Sequence, residues 1–254
     1  MKLIILGSGT SVPHPKRCSP AFWLETLFGN ILLDVGAEAS HRMAQEQLDW
    51  PNLDVIWVSH FHLDHIGGLA PLLFGLKWAP QAQDRTKPLK LFGPAGLHDL
   101  ITSIDASNNY RLLAQRFDIE IKEVAKGIEF EILPGIVAQT MKTPHTKESL
   151  ALRLIGQDGK LFVYTSDTGC SDELITFANA ADLLLLECSF RRNKPVQAHL
   201  ELEEAIYIAR ESHSTKAVLT HLYPEWDAFD IVADAQLLWS GKTFEATDGL
   251  RLEI

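Results

Sequence analysis

The sequence predicts an α/β fold, and three observations lead there. Short apolar runs rich in β-branched residues read as strands, helical stretches alternate with them, and several strands end in His or Asp followed by a turn. Strand ends of that kind line up along one edge of a sheet, where α/β folds place their chemistry. Length alone, 254 residues, does not choose between one large domain and two small ones. No low-complexity linker interrupts the chain, so a single unit over 1–254 is expected.

Taken in order, residues 2–6 read as an opening strand and 30–33 as a second, running out into Asp34 and Gly36. A helix over 38–47 follows, then the apolar strand 55–58 and a helix over 69–76. Residues 79–88 are polar with two prolines and read as a surface loop. A helix over 95–103 comes next. Strands dominate 119–164, where short runs such as 136–142, 150–155 and 161–164 are separated by Gly or Pro. A helix over 171–179 carries Asp172 and Glu173 in its first turn, favourable to the helix dipole. The fully apolar run 183–186 reads as a central strand. A helix over 202–212, a strand over 217–220 and a helix over 229–239 complete the chain.

The strongest chemical signal is His60-Phe61-His62-Leu63-Asp64-His65, directly after the strand 55–58. Strand-like alternation points His60 and His62 the same way, and Asp64 and His65 turn towards a second point. Such ligands suit zinc, or less selectively manganese or iron. One loop cannot complete a site, since a catalytic metal takes about three protein ligands and an open position. Three more candidates sit at strand ends: His145 after 136–142, Asp167 after 161–164 and His221 after 217–220. Singly each reads as a cap or turn residue. Together with the loop they read as one site.

His-x-His-x-Asp-His after an apolar strand, then a distant His, an Asp and a final His, resembles the ligand set of the metallo-β-lactamase superfamily. The resemblance implies a four-layer αββα sandwich of two mixed sheets. It also implies His60, His62 and His145 on one metal, Asp64, His65 and His221 on another, and Asp167 bridging with a water or hydroxide. The opening Leu6-Gly7-Ser8-Gly9-Thr10-Ser11-Val12-Pro13, the run Asn30 to Gly36, Leu91-Phe92-Gly93-Pro94 and Ser166-Asp167-Thr168-Gly169 are similar to the ribonuclease Z branch. Two features depart from it. The branch's long basic tRNA-gripping arm has no room between His145 and Asp167, which hold only a short hairpin around Gly156-Gln157-Asp158-Gly159. The branch's His-Glu-Ala-Thr block appears as Leu186-Glu187-Cys188-Ser189, keeping Glu187 but losing the His, while Ala198-His199-Leu200 keeps the His of a later block.

Composition bounds the partners. The 33 acidic and 23 basic side chains give a net charge of −10. Strong nucleic-acid binding is not expected, because neutralising phosphates with Lys and Arg dominates that affinity. Cys18, Cys170 and Cys188 show no framework spacing, read as small buried hydrophobes and suit a reducing cytoplasm. No signal-peptide pattern opens the sequence, and no apolar run approaches the ~20 residues that span a membrane. A homodimer is compatible with the sequence.

The expected activity is that of a dinuclear metal-dependent hydrolase, with two divalent ions, Zn2+ first and Mn2+ or Fe as alternatives. A phosphodiesterase acting on a small anionic substrate leads, by attack of metal-bound hydroxide. Acyl hydrolysis of a lactone, thioester or β-lactam is the rival, and tRNA 3′ processing stands third. Asp64 is expected to orient the nucleophile and His199 to protonate the leaving oxygen, with Glu187 in the same machinery. Asp34 is expected behind the ligands, or as a turn aspartate before Gly36. Arg191, Arg192 and Lys194 read either as an anion clamp or as a solvated loop.

Overall fold

The computed structural model describes residues 1–254. In chain order its elements are β1 (Lys2–Gly7), β2 (Ala21–Thr26), β3 (Gly29–Leu33), α1 (Ala39–Gln45), β4 (Val55–Trp57), α2 (Leu63–Ile66), α3 (Leu69–Trp78), β5 (Leu89–Gly93), α4 (Leu97–Ser107), β6 (Ile119–Glu123), β7 (Glu129–Leu133), β8 (Ile136–Lys142), β9 (Leu150–Ile155), β10 (Leu161–Tyr164), α5 (Asp172–Phe177), β11 (Leu183–Glu187), α6 (Leu202–Glu211), β12 (Lys216–Thr220), α7 (Ile231–Gln236), β13 (Lys242–Glu245) and β14 (Arg251–Glu253). They form two seven-stranded mixed sheets, in the orders β14-β1-β2-β3-β4-β5-β6 and β13-β12-β11-β10-β9-β8-β7. Strands β3 to β6 run parallel in one sheet and β10 to β13 in the other.

Alternation along the strands builds the layers. In β1, Leu3 and Ile5 join the core between the sheets, packing with Phe162 and Leu183, while Ile4 and Leu6 pack beneath α1 and α3. In β11, Leu183 and Leu185 belong to the same inner core, and Leu184 and Leu186 pack against α6. That is why every residue of the run is apolar: both of its faces are covered. The resulting three apolar layers separate four layers of secondary structure, the αββα sandwich.

Local signals account for three of the helix starts. Ser171 accepts the amide of Glu173, Asp230 accepts that of Ala233, and Glu201 with Glu204 forms a capping box at α6. Asp230 therefore starts α7 later than the expected 229. The fourth helix also starts late, because Gly96 takes the left-handed conformation (φ 97°) and ends the preceding loop. Residues 79–88 differ more from expectation. They contain a short 3-10 turn over Pro80–Ala82 and are pinned by buried Arg85. Its guanidinium donates to the carbonyls of Pro51, Leu53, Lys87 and Pro88 and lies 4.4 Å from the Phe117 ring centroid. One arginine thus replaces the missing apolar contacts of a polar loop. The cysteines also differ: only Cys188 is buried, and Cys170 is exposed.

No helix is long and apolar enough to cross a membrane. The hairpin of β9 and β10 pairs Phe162 with Leu154 and closes through Gly156 to Lys160, so residues 145–167 carry no arm.

Candidate metal centre

Strands β4, β10, β11 and β12 deliver their C-terminal residues to one edge, and β8 brings His145 to the same place through Thr143 and Pro144. Backbone contacts lock these exits together. Leu150 donates its amide to the Ser59 carbonyl, Gly169 to Pro144, and the Thr143 hydroxyl to the carbonyl of Asp167. Asp34, Ser166 and His221 all have φ between 55° and 58° without being glycine. Such backbone strain concentrates at functional sites. Gly68 is required for a steric reason, since a Cβ there would lie 2.1 Å from the Gly36 carbonyl oxygen.

The structure gathers all seven expected ligands. His60, His62, His145 and Asp167 form one group, and Asp64, His65 and His221 another, each with ligand atoms within 4.8 Å of one another. Asp167 lies between them. Its Oδ2 is 3.8 Å from His60 Nε2, 3.6 Å from His145 Nε2 and 3.3 Å from His221 Nε2, and its Oδ1 is 3.2 Å from His65 Nε2. Asp64 Oδ2 is 3.5 Å from His221 Nε2 and 3.8 Å from His65 Nε2.

Two carboxylates on opposite sheets orient the imidazoles. Asp34 Oδ2 accepts from His65 Nδ1 at 2.7 Å and from the Ser59 hydroxyl at 2.7 Å. The Ser59 proton is then committed, so its Oγ accepts from His60 Nδ1 at 3.0 Å. Glu187 repeats the pattern: its Oε1 accepts from His199 Nδ1 at 3.0 Å and its Oε2 from the Ser189 hydroxyl at 2.7 Å. Ser189 Oγ in turn accepts from His221 Nδ1 at 2.9 Å. His145 Nδ1 donates to the Ala198 carbonyl at 2.9 Å. Nδ1 is thereby committed in all five, and His60, His65, His145 and His221 turn Nε2 towards Asp167.

That arrangement tests whether metal fits. The Nε2 atoms of His60, His65 and His221 are buried and have no hydrogen-bond partner. Three unpaired imidazole nitrogens converging on a carboxylate are costly in a bare protein and are the donor set a divalent cation satisfies. His62 Nδ1 lies 3.0 Å from the lone-pair nitrogen Nε2 of His145, a contact that a shared cation also suits. The residues fit the group.

Electrostatics favour the neutral, ligating form at two of the histidines. Burial holds the His60 and His145 imidazoles below their ordinary range, in the neutral form that ligands need. Burial would raise Asp167, but His221 and His65 hold it well below the usual carboxylate range. At His65 burial is outweighed by Asp167 and Asp34, which raise it. At His199 burial is outweighed by the Glu187 hydrogen bond, with the same upward result.

Other expected residues divide. Asp34 is fully buried behind the ligands, with four donors on it: His65, Ser59 through both amide and hydroxyl, and Tyr164 at 2.6 Å. It is not a turn cap. The Glu187 carboxylate, 1% exposed, holds other side chains in place, accepting also from the amides of Thr168 and Leu200. His199 stacks on His221 with ring centroids 5.2 Å apart and comes within ligand distance of Asp167. The basic cluster does not form a clamp. Arg191 pairs with Asp234 at 2.7 Å and covers Phe229, and Lys194 pairs with Glu204 at 2.7 Å and donates to the His199 carbonyl. Their charges are already neutralised within the chain, and Arg192 is exposed without an ion pair. Sequence reasoning missed Ser59, Ser189 and Tyr164. The two serines stand next to or two residues from a ligand-edge acid or histidine, a position that was the available signal.

Residues 1–243 match the family described as Anti-Pycsar protein Apyc1. Ribonuclease Z of Archaeoglobus fulgidus is 23% identical over 100% of this chain and 97% of that protein. The crystal structure of the metallo-β-lactamase fold protein YhfI of Bacillus subtilis superposes with a TM-score of 0.80 at 23% identity, covering 99% of this chain and 98% of that one. A diphosphatase of the PhnP family superposes at 0.77 with 21% identity, covering 100% and 97%. The chain belongs to the Anti-Pycsar protein Apyc1 family and is a metal-dependent hydrolase of the metallo-β-lactamase fold.

Proposed function

We propose that the chain is a dinuclear phosphodiesterase acting on a small or short phosphodiester. The observation that carries this reading is the placement of the Asp167 carboxylate between two imidazole groups with His199 beside it. His60, His62 and His145 would hold one divalent ion, Asp64, His65 and His221 the second, and Asp167 both. Bound there, such ions acidify water and offset the negative charge that develops on a phosphoryl oxygen.

The chain's own residues supply the rest. Asp34 and Glu187, through Ser59 and Ser189, keep the imidazoles in one tautomer and one orientation before substrate arrives. Asp64 would help hold the second ion, and its carboxylate would orient the attacking oxygen. His199 has Nδ1 committed to Glu187, so Nε2 is the atom that gives a proton to the departing alkoxide. A ribonuclease and a diphosphatase among the similar proteins support phosphoryl chemistry.

Acyl hydrolysis remains the second reading, favoured by one observation: Arg191 and Lys194 are paired off and offer nothing to an anion. A panel assay of purified protein separates them, using bis-p-nitrophenyl phosphate, a lactone, a thioester and nitrocefin alongside metal analysis. Turnover of the diester is expected to exceed the other three. Lactone or thioester turnover without diester turnover would replace this reading with the acyl one.

A further inference from the structure

Of the larger cavities, one reaches the ligand cluster. It measures about 500 Å³ and lies between the loop 10–19, the turn at Ala37 and Glu38, and the start of α2, with Asp64 in its wall. The largest cavity, about 610 Å³ beside Lys126 and Phe177, includes none of the seven ligand candidates. A volume of ~300–1,000 Å³ suits a small ligand.

The lining of the Asp64 cavity is mixed, with four apolar residues among twelve. Val12, Pro13 and Leu63 form an apolar lip, and Ser11, Ser19 and Glu38 supply polar groups. Leu63 is 79% exposed although it sits between His62 and Asp64, and Val12 is 37% exposed. These side chains leave water only when something apolar covers them.

The wall is also preformed. Asp248 accepts from the Ser8 amide and hydroxyl and from the Cys18 amide, and Glu38 accepts from the Ser19 amide. Arg17 is tied to Glu245 and the Ala246 carbonyl, and the Leu222 amide, next to His221, donates to the Ser8 carbonyl. The loop 10–19 is thereby fixed to the same framework as the ligands.

We propose that this cavity receives one organic substituent of the substrate and selects a flat apolar ring over a small alkyl group, with Val12 and Leu63 as the specificity determinants. The proposal rests on the phosphodiesterase reading for the position of the phosphoryl group. Asp64 belongs both to the second ligand group and to the cavity wall, so the cavity adjoins the place a phosphoryl group would take.

Phenyl phosphate and methyl phosphate share the phosphoryl group and differ only in that substituent, so calorimetric titration of each into metal-replete protein is the test. Phenyl phosphate is expected to bind at least ~10-fold tighter, as several buried carbons imply. Val12→Ser and Leu63→Ser should each shrink that ratio, and Ser11→Trp, which fills the cavity, should abolish it. Mere structural damage would weaken both ligands alike and leave the ratio unmoved. A ratio near one in the parent protein, no binding of phenyl phosphate, or a ratio indifferent to all three substitutions overturns the proposal. Turnover of bis-p-nitrophenyl phosphate, measured on the same preparation, is judged separately. Its absence beside an intact, Val12-dependent ratio removes the diesterase reading and leaves the ring pocket standing.

Discussion

Asp34 and His65, separated by 31 positions in the chain, share a 2.7 Å hydrogen bond between fully buried side chains. The bond crosses from the end of β3 to the ligand helix α2, and the same Asp34 oxygen also accepts from Ser59 and Tyr164. One carboxylate therefore fixes two adjacent strand ends of one sheet and touches the other sheet.

Removing that acceptor should be felt twice. Asp34→Ala leaves buried donors unpaired, so equilibrium denaturation should show a loss of about 3–5 kcal/mol. A competition titration should show metal affinity reduced ~10–100-fold, the usual effect of losing a group that orients a ligand. Unchanged metal affinity would mean that Asp34 serves stability alone.

Metal content follows from the ligand count. Elemental analysis of protein purified without chelator should find about two divalent ions per chain, as two sets of three to four ligands require. Asp167→Ala should lower both occupancies, since its two oxygens face both groups. A chelator should lower the melting temperature, because bound metal stabilises only the folded chain. Loss of one ion with the other retained would make Asp167 an ordinary ligand of a single site.

His199 separates leaving groups. An alkoxide departs poorly without a proton, and a positioned donor contributes ~10²–10⁴-fold, whereas p-nitrophenolate needs little help. His199→Ala should thus cut turnover of an alkyl phosphodiester far more than that of the p-nitrophenyl diester, with metal content unchanged. Equal losses on both substrates would exclude the proton-donor role. Loss of metal would reassign His199 as a ligand, which its distance to Asp167 and His221 permits.

The cysteines give a pH-dependent readout away from catalysis. Burial, then the hydrogen bond with Asp248, pushes the Cys18 thiol up to about 12, and burial raises Cys170 and Cys188 as well. At pH 8 an aromatic disulfide reagent should label Cys170 alone, slowly, and all three thiols after denaturation. Cys18 titrates near 9 when unfolded and near 12 when folded, so its stabilising contribution is complete below pH 9 and is lost as pH rises from there towards 12. Rapid native labelling of Cys18 at pH 8 would contradict this.

The sequence alone determined the class of fold and the candidate ligand set. Alternation between the two faces of β1 and the unbroken apolar run of β11 are local properties, and so are the His and Asp residues that follow β3, β4, β8, β10 and β12. The candidates are legible because few side chains bind divalent metal and seven of them stand at or just beyond strand exits. The caps at Ser171, Asp230 and Glu201 were within reach for the same local reason, while the extent of α4 and α7 depended on the conformations of Gly96 and Asp230.

Tertiary structure alone decided which charges were available. Arg191 and Lys194 read in the sequence as an anion clamp or a solvated loop, and the fold pairs them with Asp234 and Glu204, 43 and 10 positions away. Arg85 sits in a polar stretch whose burial no local pattern reveals, because it is set by carbonyls brought in from other parts of the chain. The paired carboxylate–serine relays also require both sheets to meet at one edge. A ligand declares itself by its chemistry, but the protonation and aim of that ligand depend on what packs behind it, and only the folded chain supplies that.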